Sequence, residues 1–254
     1  MLQGYADDSG SDSLRALYFF GGFLMEAERW SAFADAWQTQ LSRSPSIEYI
    51  KMEEAHGHSG EFASFAFRGI ELRHRKVRDM LEVIEDFRPV GVFSTVDWEE
   101  FRTSQAPFAL RAAKDPYHCL VPWLFDVVME WQKQKGIFPE PIDFDFDEKG
   151  KRIGAFIRAV FPEVKKLAPD SLGKMLGRIP RMLDENKVLP LQAADMLVWN
   201  LRRHYDPKVE YREWEWLYVR LNALCFGCAF GPESYDGLQM FNVWQWAVRR
   251  LGLP

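Results

Sequence analysis

The segment Ile142-Asp143-Phe144-Asp145-Phe146-Asp147 alternates apolar and acidic residues without a break, and Glu148 follows it. A period of two describes an extended strand, with Ile142, Phe144 and Phe146 on one face and Asp143, Asp145 and Asp147 on the other. Pro139 and Pro141 introduce it, and Lys149-Gly150 turns the chain into a helix carrying Ile153, Phe156, Ile157 and Val160.

Other stretches supply partners for that strand. Leu2 to Asp8 is short and extended, and the cluster Asp8 to Ser13 is turn chemistry. Arg15 to Met25, rich in aromatics, reads as a second strand hairpin-linked to the first. Pro89 ends a helix and Val90 to Val96 reads as a strand; Ile179 to Leu183 is a weaker one, and Ile47 to Met52 a short candidate. Helical spacing groups Trp30, Phe33, Trp37 and Leu41; then Val77, Leu81 and Ile84; then Leu120, Leu124, Val127 and Trp131. Pro190 opens a further helix with Leu191, Ala194, Val198 and Leu201 inward. Two more helices carry Trp214, Leu217 and Leu221, and Leu238, Phe241, Trp244 and Val248, while Glu53 to Gly69 reads as a solvated loop.

With residues 26–88 set aside as a helical insertion, the element order is β-β-β-α-β-α-β-α. That is the order of a ribonuclease-H-like α/β fold, a mixed five-stranded sheet with helices on its faces. The expected organisation is a ribonuclease-H-like domain over 1–205 and a C-terminal helical extension over 206–254 packed on it. In that sheet order the first and fourth strands are neighbours, so Asp7 and Asp147 end side by side, with Asp195 on the helix next to them.

Composition narrows the class. The chain has 254 residues, 47% of them hydrophobic, so it can build a large core without disulfides or metal. Three cysteines argue against a disulfide framework and for a reducing compartment, and no apolar run reaches the ~20 residues of a membrane span. No basic-then-apolar leader opens the sequence, so a cytoplasmic protein is expected. A net charge of −5 disfavours indiscriminate polyanion binding, yet a metal at clustered carboxylates would reverse the sign locally.

Three acidic points stand out: Asp7-Asp8, Asp147-Glu148, and Asp195 with Gln192 one helical turn before it. Two carboxylates about 4 Å apart repel by ~4 kcal/mol at an effective dielectric of 20, so a cluster of three must take up protons or bind cations. Oxygen-only ligands favour Mg²⁺ or Mn²⁺, and paired metals activate water in nucleases. Taken singly, each carboxylate reads equally as a turn cap or strand end.

Tyr5-Ala6-Asp7-Asp8-Ser9-Gly10 resembles the Tyr-x-Asp-Glu-Ser-Gly opening of the domain-of-unknown-function 3800 family. Leu191-Gln192-Ala193-Ala194-Asp195-Met196-Leu197 is similar to that family's Leu-Gln-x-Ala-Asp-Leu segment, and Asp147-Glu148 to its strand ending in Asp-Glu. The resemblance implies a ribonuclease-H-like fold and a metal-dependent nuclease. It makes Asp7, Asp147 and Asp195 metal ligands on a Mg²⁺ or Mn²⁺ centre, expected to hold two ions, and Gln192 a supporting catalytic contact. Asp8 and Glu148 are further ligand candidates, although Asp8 stands where the family carries Glu and its arm is shorter. Glu130, Asp126 and Glu53 are candidates for a fourth carboxylate, each equally a surface charge.

Arg73, Arg75, Lys76 and Arg78 are a basic stretch in the insertion, read either as a wet helix face or as a nucleic-acid-binding surface; Arg202 and Arg203 form a second. His56 and His58 lack a zinc spacing and read as part of a solvated loop, with a proton shuttle bordering the acidic site as the functional alternative. Cys225-Phe226-Gly227-Cys228 lacks a second pair for zinc and reads as structural thiols. The expected function is hydrolysis of DNA or RNA phosphodiesters by in-line attack of water. The alternative is a non-catalytic nucleic-acid- or protein-binding module on the same fold, with the Trp-rich C-terminal helices as partner or homodimer face.

Overall fold

The computed structural model describes residues 1–11, 15–67, 69–103, 115–148, 151–209, 213–226, 229–230 and 239–252. The chain is mixed α/β. Strands β1 (Leu2–Ser9), β2 (Leu17–Glu26), β3 (Val90–Asp97), β4 (Ile142–Asp147), β5 (Arg181–Leu183) and the two-residue β6 (Ala229–Phe230) form one open sheet ordered β5-β4-β1-β2-β3-β6. β1 and β3 run antiparallel to β2, whereas β1, β4 and β5 are mutually parallel. β6 adds a parallel edge to β3, which extends the expected five strands.

The first face of the sheet is covered by α5 (Tyr117–Lys135), α6 (Lys151–Leu167) and α10 (Gln239–Arg250). Their buried side chains meet Phe144 and Phe146, the apolar side of the alternating strand. The second face is covered by α8 (Leu189–Tyr205), whose residues 190–202 are all buried. α8 is itself roofed by α1 (Arg29–Ser42) and α9 (Glu215–Asn222), with α3 (Ile70–Phe87) packed against both of these. The insertion and α9 of the C-terminal extension thus share one apolar cluster with the second face, in which Trp37, Phe62, Met80, Met196, Trp199 and Leu217 are all buried.

Two local expectations are overturned in the insertion. Ile47 to Met52 joins no sheet, and Glu53 to Gly69 is no solvated loop: it folds as α2 (Met52–Gly57) and a 3-10 turn (Gly60–Phe67). Burial of Met52, Ala55, Phe62 and Phe65 stabilises these short elements, which local propensity alone would not hold. Among the described residues the remaining helices are α4 (Trp98–Thr103) and α7 (Asp170–Met175).

Gly21 stands opposite Asp7 in the β1–β2 register. A Cβ there would lie 2.5 Å from the Val92 carbonyl oxygen, a distance that real Cβ atoms do not show. Among the described residues no helix is long and apolar enough to cross a membrane. Cys228, Leu238 and the side chain of Phe241 lie outside what is described, as do Asp12-Ser13 at the end of the expected turn and Lys149-Gly150.

Candidate metal centre

Three elements bring carboxylates to one point at the C-terminal end of the parallel strands. β1 contributes Asp7, the turn after β5 contributes Glu185, and the second turn of α8 contributes Asp195. One oxygen of each lies within 4.8 Å of the others, and all three residues are buried. Alternation along β1 and the docking of α8 on β1 and β2 direct Asp7 and Asp195 to the same side.

Each carboxylate is partly held in place by the backbone. Asp7 Oδ1 accepts the Asp8 N–H at 2.6 Å, and Asp195 Oδ2 accepts the Met52 N–H at 2.7 Å. Glu185 Oε1 pairs with the Lys51 ammonium, while Glu185 Oε2 is buried with no hydrogen-bond partner. An orphaned, buried carboxylate oxygen within an all-oxygen donor set is what a hard divalent cation satisfies. The cluster could therefore hold a metal ion.

Lys51 supplies the compensating positive charge. Burial opposes its protonated form, but Glu185, then Asp195 and Asp7, hold its ammonium well above the usual lysine range.

Asp147, expected as the third ligand, stands beside the trio rather than within it. Asp7 and Asp147 each lie one residue beyond Ala6 and Phe146, the last paired positions of β1 and β4. The Glu185 N–H donates to Asp147 Oδ1 at 3.2 Å. Burial, and next the Glu185 charge, push the Asp147 carboxyl up to about 6, against backbone hydrogen bonds and Lys51 that lower it. The folded chain therefore takes up a proton between pH 4 and 6 that the unfolded chain does not, and this stabilisation is lost as pH rises through 6. Asp147→Asn, which mimics the protonated form, is expected to melt a few degrees above the parent at pH 7.5 in EDTA. The gap should narrow as pH falls from 6 and close only below about pH 4. A variant that melts lower at both values contradicts this account of Asp147.

The other candidates separate clearly. Gln192 is buried with its amide fully engaged: Oε1 accepts from Trp37 Nε1 at 2.9 Å and from the Ile50 N–H at 3.3 Å, and Nε2 donates to the Glu185 and Asn186 carbonyls at 3.2 and 3.5 Å. It ties α1, the insertion and the Glu185 turn to α8 and so positions the cluster without facing it. Asp8 points to the opposite face of the sheet from Asp7, on the side of Ala6 and Phe20. Glu148 is exposed past the end of β4, its N–H bonded to the Leu183 carbonyl. Asp126 accepts the Met240 N–H of α10 at 2.9 Å, Glu53 accepts from Trp199 Nε1 at 2.7 Å, and Glu130 lies on α5. None of the three enters the cluster.

The basic stretches need correction. Arg73 and Lys76 are buried and form no nucleic-acid surface. Arg73 pairs with Glu213 and donates to the Ala55 carbonyl at 2.8 Å; Lys76 donates to the carbonyls of Gln40, Leu41 and Arg43 and closes the end of α1. Arg202 is buried too, its Nε donating to Ser9 Oγ at 2.8 Å. Arg75 and Arg78 remain exposed, the latter over the Trp216 ring. His56 lies against Trp199 and Glu213, and burial lowers its basicity.

Glu185 and Lys51 were not apparent from sequence. For Glu185 the available signal was its place two residues after β5, whose register sets Leu183 opposite Asp147. No comparable signal marks Lys51. No protein-family model and no curated protein matches the chain.

Proposed function

We propose that the protein is a divalent-metal-dependent nuclease of ribonuclease-H-like fold, hydrolysing nucleic-acid phosphodiesters at the Asp7–Glu185–Asp195 cluster. The observation that carries the reading is that trio, with one oxygen of each buried carboxylate within 4.8 Å of the others. Support for the fold comes from the strand order β5-β4-β1-β2-β3 with β2 alone antiparallel to its neighbours, and from the cluster lying at the carboxyl ends of the parallel strands. The short motifs around Asp7 and Asp195 add the resemblance to the domain-of-unknown-function 3800 family.

Asp7, Glu185 and Asp195 would hold Mg²⁺ or Mn²⁺, which when bound supplies Lewis-acid stabilisation of a phosphoryl oxygen and a more acidic water. The chain's own part is to hold three acceptors ready. The Met52 and Asp8 N–H groups fix two of them, and the amide of Gln192 fixes the turn that carries Glu185. A two-ion form of the site would also draw on Asp147 beside Glu185.

Titration with Mn²⁺ or Mg²⁺ is expected to raise the melting temperature. At a hundredfold excess over Kd the gain is about 2.7 kcal/mol, worth roughly 5–10 °C for a chain of this size. Single- and double-stranded DNA and RNA oligonucleotides should be cut to free ends with the metal and left intact in EDTA. Absence of both a thermal shift and cleavage would remove the nuclease reading and leave the non-catalytic binding module.

A further inference from the structure

Residues 50–52 of the insertion are clamped to α8 on either side of one lysine. The Ile50 N–H bonds Gln192 and the Met52 N–H bonds Asp195, and both flanking side chains are buried. Lys51 between them is extended, with φ −133° and ψ 124°, so its side chain leaves the backbone on the side opposite to theirs. Its ammonium pairs with Glu185, yet 40% of the Lys51 side chain is exposed against 9% of Glu185. The lysine therefore reaches the buried carboxylates from the solvent side, on a flexible stem with a fixed origin.

Resting on the hydrolase reading above, we propose that Lys51 is a hand-over cation. In the metal-free protein it neutralises Glu185; with a divalent ion in the cluster it turns to an anionic oxygen of the substrate's phosphodiester. Two cations on one carboxylate repel, and of the two the ammonium is the one on a mobile arm. A lysine displaced toward solvent at the mouth of the cluster stands where a phosphate must approach, and a point charge of this kind is a common phosphate partner. A trio of carboxylates by itself repels a polyanion; the released lysine gives the approaching strand a positive contact next to the metal. The clamp at Ile50 and Met52 explains why the insertion is held against α8 at this point.

Lys51→Met keeps the stem and removes the charge, and Lys51→Arg keeps the charge. Calorimetric titration with Mn²⁺ alone is expected to show about tenfold tighter binding for Lys51→Met than for the parent, with Lys51→Arg near the parent. At saturating Mn²⁺, kcat/KM on an oligonucleotide should fall about a hundredfold in Lys51→Met and recover most of the loss in Lys51→Arg. Unchanged or weaker Mn²⁺ binding by Lys51→Met overturns the exchange. Tighter binding with unchanged kcat/KM overturns the phosphate contact. A parent protein that binds Mn²⁺ and cuts nothing removes the hydrolase reading and the phosphate contact with it, while the calorimetric comparison still decides the exchange at Glu185.

Discussion

Asp195→Asn is expected to abolish Mn²⁺ uptake at the cluster and to lower oligonucleotide cleavage on the order of 10³-fold, with no loss of fold. Preservation of the fold follows from a single hydrogen bond. The Asn side-chain oxygen can still accept the Met52 N–H that Asp195 Oδ2 accepts at 2.7 Å, so the insertion stays docked. Electrostatics point the same way: Asp195 is one of three carboxylates with oxygens within 4.8 Å of each other, and neutralising it removes repulsion from Asp7 and Glu185. The melting temperature in EDTA should therefore equal or exceed that of the parent, while the thermal gain on adding Mn²⁺ disappears. Glu148→Gln is the matched control, because Glu148 is exposed beyond β4 and outside the trio. It should retain both metal binding and turnover. An Asp195→Asn protein that still gains stability from Mn²⁺ would dismiss the trio as the metal centre.

The strands and long helices that build this site were legible for a physical reason. β4 alternates with period two because one face meets Phe125 and its neighbours while the other carries carboxylates, and α1 repeats Trp30, Phe33, Trp37 and Leu41 because one side is buried. Such patterns are local, so a sequence displays them. The pairing of β1 with β4, which sets Asp7 beside Asp147, follows from element order combined with fold-level analogy, and the sheet has that neighbour relation.

What could not be read depends on contacts distant in sequence. α2 and the 3-10 turn carry two glycines, a histidine and glutamates that look like loop chemistry; α2 is ordered by packing on α8, more than a hundred residues away, and the 3-10 turn by packing on α2 and α3. Glu185 sits in a polar turn, Asp184-Glu185-Asn186, after a strand only three residues long, and resembles any other turn acid. Asp147 had the stronger local signal, but its register leaves it at the margin. Asp8 fails for the simplest reason: adjacent strand residues face opposite sides, so the Asp7-Asp8 pair cannot serve one cluster through both carboxylates.

The basic stretch shows the same limit in its energetics, and yields the second large effect. Arg73→Met is expected to destabilise the protein by about 3–5 kcal/mol, lowering the melting temperature by roughly 10 °C, while nucleic-acid affinity and its salt dependence stay as in the parent below the transition. With 2% of its side chain exposed, Arg73 pairs with Glu213, whose side chain is 7% exposed, donates to the Ala55 carbonyl at 2.8 Å and lies 5.3 Å above the Trp214 ring. It thus joins the end of α2 to the approach to α9. Methionine fills the space but leaves Glu213 without its permanent cation and the α2 carbonyl without its donor, and the pair as a whole matters less than the half left behind. Glu213→Gln on top of Arg73→Met should restore part of the stability, because it removes the abandoned charge. Arg75→Met provides the contrast: Arg75 is exposed on the same helix, so its loss should change stability by no more than about 0.5 kcal/mol. If Arg73→Met melts with the parent, the buried pair does not hold α2 in place, and the route by which the insertion presents Lys51 to Glu185 must rest on the Gln192 and Asp195 hydrogen bonds alone.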